Sequence, residues 1–116
     1  MTLGDDAPAK RPLIHDVIPN FEWDLNKARE NVRKHGVSFE EAASVFGDDD
    51  ALIYDDVDHS DEEDRFIIVG MSAHERVLLA VYTIRYKDTV RIINSRHPTR
   101  QEKRAYEDHK ARRARD

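Results

Sequence analysis

Residues 21–41 read Phe-Glu-Trp-Asp-Leu-Asn-Lys-Ala-Arg-Glu-Asn-Val-Arg-Lys-His-Gly-Val-Ser-Phe-Glu-Glu. The stretch describes two helices with a glycine stop between them. Asp24 is placed to accept hydrogen bonds from the free N–H groups of a first turn. Leu25, Ala28 and Val32 recur at helical spacing and form one apolar stripe over a helix from about Asp24 to His35. Lys34 and His35 complement the negative end of its dipole. Gly36 supplies the left-handed residue that ends it. Ser38 with Glu41 has the spacing of a capping box for a short second helix, near Phe39–Phe46, and Val37 is placed to staple its entry. Trp23 reads as a core or staple aromatic.

Beyond Gly47 the periodicity changes. Ala51–Asp55, Arg65–Ser72, Arg76–Ile84 and Thr89–Ser95 are rich in branched and aromatic residues and predict strands. The connections Ser72–Glu75 and Arg85–Asp88 are of hairpin length, so the strands form an antiparallel meander. Thr99 caps a last charged helix, about Arg100–Arg113, with Glu102 completing its box. The expected fold class is α+β, with two N-terminal helices, a four-stranded antiparallel meander sheet and a C-terminal helix, in the order α-α-β-β-β-β-α. Residues 1–20, with Pro8, Pro12 and Pro19, read as a flexible arm, residues 21–110 as one domain, and residues 111–116 as a charged tail.

The chain has 116 residues, enough for one modest core, and 37% of them are charged. It has no cysteine, which leaves no thiolate metal site and suits a reducing, cytoplasmic setting. No apolar run approaches the ~20 residues of a membrane helix. The net charge of −5 hides an asymmetry: ten acids and no base lie between Asp48 and Asp64, against thirteen bases and six acids from Arg65 onward. A basic half of this kind can meet phosphate, while the acidic strip faces solvent, repels RNA or receives a basic partner.

The dispersed pattern resembles one family. Phe21-Glu22-Trp23-Asp24, Lys27, Asn31 and Lys34-His35-Gly36-Val37-Ser38-Phe39-Glu40-Glu41-Ala42 carry the first half. His59-Ser60, Glu63, Arg65-Phe66, Gly70, Val81-Tyr82-Thr83, Arg91-Ile92-Ile93, Arg96, Thr99, Glu102 and Tyr106 carry the second. Over Phe21–Tyr106 the chain resembles the BrnT toxins of bacterial type II toxin–antitoxin pairs. The resemblance implies a small RelE-like ribonuclease fold, an RNA substrate and growth arrest. It further implies a tight complex, of higher order, with a ribbon-helix-helix antitoxin similar to BrnA. DNA is then reached only through the antitoxin, and no membrane is involved. One departure is that His97-Pro98 follows Arg96, where relatives carry a basic residue and Ala.

Such ribonucleases need neither metal nor cofactor, because the RNA 2′-hydroxyl attacks the adjacent phosphorus. The protein moves protons and stabilises negative charge with fixed cations. Guanidinium groups suit that task because they hold phosphate oxygens bidentately. The catalytic candidates are Arg65, Arg96 and His35. Lys34, Arg76, Arg85, Arg91 and Thr83 are the substrate-binding candidates. His97 is a further proton donor by position. For any single arginine the plain alternative is an exposed edge charge; for Lys34 and His35 it is dipole complement. His59 with Glu63 lacks a third ligand at a recognisable spacing, so no metal site is expected. Two other classes remain open: a catalytically weak homologue that only binds its partner, and a helix–turn–helix DNA module. The second is disfavoured because its reading helix would present Glu40 and Glu41 and no Arg or Lys.

Overall fold

The computed structural model describes residues 20–59 and 63–115. The N-terminal arm, apart from Asn20, lies outside the described residues. So does the side chain of His59, and with it the His59–Glu63 pair.

Strand β1 is Asn20–Glu22, helix α1 Leu25–His35 and helix α2 Phe39–Ser44, which tightens into a 3-10 turn at Val45–Gly47. Strands β2 (Leu52–Asp55), β3 (Phe66–Met71), β4 (Val77–Arg85) and β5 (Thr89–Arg96) follow, and helix α3 runs Arg100–Arg115. The sheet has five strands in the order β1-β5-β4-β3-β2. The four expected strands pair antiparallel in sequence order. The expected four-stranded sheet is corrected by β1, which adds in parallel to the outer edge of β5, Phe21 opposite Val90. Three residues carry no readable period, so this strand has no signature of its own. Helix α3 continues to Arg115, through residues assigned from sequence to a tail.

The first turns form for the expected reasons. Asp24 accepts from the Lys27 N–H at 2.9 Å, and Gly36 takes φ +68° with its N–H on the Val32 carbonyl. Of the stripe on α1, however, only Ala28 packs against the core: Leu25 is 67% and Val32 49% exposed. The buried anchor is Asn31, which donates to the carbonyls of Val37 (2.9 Å) and Ser95 (2.8 Å) and accepts from the Ser95 N–H (3.1 Å). Helix α1 is thus held to β5 by a satisfied buried amide. The aromatic core is supplied by the segments flanking α1: Val37 and Phe39 are fully buried, and Trp23 packs edge-on against Phe39 at 6.0 Å.

The sheet separates two apolar clusters. On one face α1 and α2 cover Phe66, Ile68, Leu78, Ala80, Tyr82, Val90 and Ile92, together with Val37, Phe39, Ala42, Val45 and Phe46. On the other, Tyr106 of α3 seals Val69, Leu79 and Val81. Gly70 lets the Val45–Gly47 turn approach β3: an added Cβ would lie 3.0 Å from Val45 and 3.1 Å from Ala51 and Asp48.

Helix α3 has a full capping box. Thr99 Oγ1 accepts from the Glu102 N–H, and Glu102 accepts from the Thr99 N–H. In α2 the box is half made: Ser38 accepts from the Glu41 N–H, but the Glu41 carboxylate is drawn to Arg76 and Ser72 instead. The Tyr106 hydroxyl donates to Asp48 Oδ2 at 2.6 Å, and that oxygen also accepts from the Met71 N–H. Arg113 pairs with Asp50 at 3.0 Å. Part of the acidic strip therefore serves to dock α3. Tyr106→Phe should lower stability by about 1–3 kcal/mol, as a lost hydrogen bond to a charged acceptor. The midpoint of a urea unfolding curve checks this.

Candidate nucleic-acid interface

Beyond Tyr106, no helix among the described residues covers the α3 side of the sheet. Its residues are set by the strand register, because paired residues share a face. Leu52 opposes Val69 and Tyr54 opposes Ile67, so Tyr54 lies on this side. Thr83 opposes Arg91, Arg85 opposes Thr89 and Leu79 opposes Arg96. A β-bulge interrupts this ladder: Tyr82 pairs with Ile92 and Val81 with Asn94, leaving Ile93 extra. Arg91 and Arg96 are five residues apart and would alternate to opposite faces in a regular strand. The bulge returns them to the same one.

Arg65 lies one position before Phe66, whose side chain enters the helix-covered core, so it alternates to the open side. Its Nε is 3.6 Å from Glu63 Oε1, and Arg85 Nη2 is 3.4 Å from Glu63 Oε2. One carboxylate therefore straddles two guanidinium groups. The Nε of Arg65 is buried and has no hydrogen-bond partner. Thr83 stands between Arg65 and Arg91 in the register and donates its hydroxyl to the Asp64 carbonyl at 2.6 Å. Arg91 pairs with Glu22 of β1 at 2.9 Å. A hollow of about 270 Å³ opens at this end of the sheet, with Glu63, Thr83, Arg85 and Lys87 among its lining residues. Arg65, Thr83, Arg85 and Arg91 thus gather on three adjacent strands, within roughly 10 Å across the sheet.

Arg96 lies on the same face, farther along β5. Five residues of strand place it roughly 16 Å from Arg91. Its guanidinium holds Glu102 with two bonds, at 2.8 and 3.1 Å, and thereby ties the end of β5 to the start of α3. The hydrogen bonds from Arg96 hold the Glu102 carboxyl down, to about 2. Burial, with the nearby Glu102 charge, raises the phenol of Tyr54.

The remaining expected residues lie elsewhere. Arg76 makes a bidentate pair with buried Glu41 at 2.6 and 2.7 Å and also donates to the Gly36 carbonyl. That locks β4 to the α1–α2 turn and leaves this guanidinium occupied by the fold. Lys34 and His35 are exposed at the end of α1, in the layer on the opposite side of the sheet from Arg65. His97 lines a second hollow, of about 520 Å³, between α3 and the β3–β4 hairpin, together with Arg76, Lys103 and Lys110. The trio Arg65, Arg96 and His35 is therefore not assembled into one spot. Sequence reasoning missed the places of Glu63 and Tyr54 in this surface. For Glu63 a signal was available: it stands two residues before Arg65, the spacing that puts two extended residues on one side.

Hydrogen bonds from Arg76 hold Glu41 well below its ordinary value of 4.5, at about 2, against the opposing effect of burial. Glu41 and Glu102 therefore both favour the folded state when ionised. Their contribution is complete above about pH 4.5 and is lost as pH falls through about 2. Thermal unfolding followed from pH 6 to pH 2 should show the steepest loss across that window, and Glu41→Gln should flatten it while lowering stability at neutral pH.

The family described as the ribonuclease toxin, BrnT, of type II toxin–antitoxin systems matches residues 23–102. That span includes Arg65, Thr83, Arg85, Arg91 and Arg96. Among solved structures, the fold is similar to the 1.1 Å crystal structure of the Brucella abortus ribonuclease toxin BrnT. The TM-score is 0.55 at 17% identity, over 71% of this chain and 99% of that one. No curated protein matches the chain. With more than half its length matched, the chain belongs to the BrnT family of ribonuclease toxins of type II toxin–antitoxin systems.

Proposed function

We propose that this toxin is a metal-independent endoribonuclease whose cutting surface is the open sheet face bearing Arg65, Thr83, Arg85 and Arg91. The supporting observation is the gathering of these residues on β4, β5 and the approach to β3, beside a hollow and uncovered by α3. An RNA phosphate seated against Arg65 and Arg85 receives two guanidinium groups aimed at the charge that develops on phosphorus as the 2′-hydroxyl attacks. Arg91 holds the neighbouring backbone, and Thr83, buried with its hydroxyl on the Asp64 carbonyl, positions the approach to β3 that carries Arg65. The track continues over Tyr54, an aromatic on which a base can stack, toward Arg96. His35 and Lys34 have no part at this spot.

In this reading RNA cleavage arrests translation and growth. The antitoxin that the family implies is a ribbon-helix-helix protein that neutralises the toxin in a higher-order complex and carries any DNA contact. The helix–turn–helix alternative loses its reading element: α2 has six residues, and Phe39, Glu41 and Ala42 are buried.

Purified chain incubated with single-stranded RNA in excess EDTA should cut it, leaving 2′,3′-cyclic phosphate and 5′-hydroxyl ends. A 2′-deoxy nucleotide at the cut position should block cleavage. Ends of the opposite kind, or a strict need for added divalent cation, would overturn self-attack. A folded, soluble chain that cuts nothing and is harmless when induced alone would favour the partner-only homologue.

A further inference from the structure

We infer that Glu63 is a built-in competitor for the phosphate position, displaced when RNA binds; this rests on the reading of the arginine face given above. The carboxylate–arginine contacts among the described residues differ in a telling way. Glu41 with Arg76, Glu102 with Arg96 and Glu22 with Arg91 close to 2.6–2.9 Å, the range of a strong charge-assisted bond. Glu63 reaches neither partner so closely. It sits at 3.6 Å from Arg65 and 3.4 Å from Arg85.

The two oxygens of Glu63 are divided between the two arginines, in the manner of a bridging phosphate that is too small for the gap. An RNA phosphodiester is larger than a carboxylate and tetrahedral, so its two free oxygens stand farther apart. The buried Nε–H of Arg65 faces Glu63 Oε1 at 3.6 Å, too far for a hydrogen bond, and a phosphate oxygen in that place would close the gap. Leaving a buried donor unpaired is costly, so the site is incomplete with its own carboxylate in place. Glu63 is also one-third exposed and lines the hollow, so it can swing toward solvent without disturbing the core. The three tight pairs just named anchor strands and helices to one another. This one anchors none.

The consequence is a toxin whose empty site is partly neutralised by its own side chain. Binding RNA exchanges Glu63 for phosphate, which lowers affinity for weakly held phosphates and favours substrates that make further contacts along the track. Glu63→Gln keeps the size of the side chain and removes its charge.

The test uses the full chain and a single-stranded oligoribonucleotide whose 2′-hydroxyls are methylated, so that it binds but cannot be cut. Fluorescence anisotropy over a salt series should show Glu63→Gln binding about 3–10-fold tighter at low salt. Its log–log salt slope should be steeper by up to about 0.7, the increment for one more phosphate engaged on a single strand. Unchanged or weaker binding would overturn the inference. So would equal binding accompanied by a loss of cutting of natural RNA on the order of 10²-fold or more, because Glu63 would then be taking the proton. Failure of the underlying reading looks different: wild type would bind the oligonucleotide no better than Arg65→Ala does, and both proposals would fall together.

Discussion

Arg65→Ala should slow RNA cleavage by about 10²–10³-fold, the usual cost of removing one fixed donor from developing transition-state charge. The variant should unfold close to the wild-type temperature. Its Nε makes only a long, 3.6 Å contact to Glu63, so truncation orphans no buried partner. Lysine should rescue little, because a point ammonium cannot replace a planar fork held beside a second arginine. Arg85→Ala should follow the same pattern with a smaller loss, since that side chain is 43% exposed. Single-turnover cleavage in EDTA, paired with thermal unfolding of the same samples, measures both halves. A folded Arg65→Ala protein that cuts RNA at the wild-type rate would remove the arginine face from the chemistry.

Arg76→Ala should do the reverse. It leaves the Glu41 carboxylate, with 3% of its side chain exposed, in a buried site without its cation. Breaking such pairs costs several kcal/mol. Because Arg76 itself is 40% exposed, water reaches the vacated position and the loss should be about 2–3 kcal/mol. For a domain of this size that lowers the melting temperature by roughly 10 °C. Adding Glu41→Gln should recover part of the loss, since the uncompensated charge is then gone. Cleavage per folded molecule should not change. Were Arg76→Ala inactive while fully folded, the reading of this residue as a phosphate contact would be restored.

The two arginines look alike in the sequence, each at the start of a strong strand. What separates them is the partner across the fold, Glu63 in one case and Glu41 in the other. Glu41 stands thirty-five residues from Arg76, and no local pattern links them. Features decided within a few residues were legible: the Gly36 stop, the Asp24 cap, the Thr99–Glu102 box and the hairpins that order β3, β4 and β5. The Leu25–Val32 stripe was misleading because periodicity measures which face is apolar, whereas α1 is oriented by the hydrogen bonds of Asn31 to β5. Strand β1 escaped notice because its support comes from Val90 and Arg91, sixty-nine residues away in each case. His35 was read beside the arginines because one sequence cannot reveal on which side of a sheet a preceding helix will lie.

The extra residue in β5 makes this toxin unequally tolerant of change. Swapping Ile93 for another apolar side chain leaves the strand's phase alone. Deleting it would close the bulge into a regular ladder, with Ile92, Asn94, Ser95 and Arg96 still opposite Tyr82, Val81, Ala80 and Leu79 and each side chain on its present face. A single lost codon there would thus spare the RNA track and the ties of Ser95 and Arg96 to α1 and α3, whereas the same loss inside β4 would turn every later side chain of that strand to the other face.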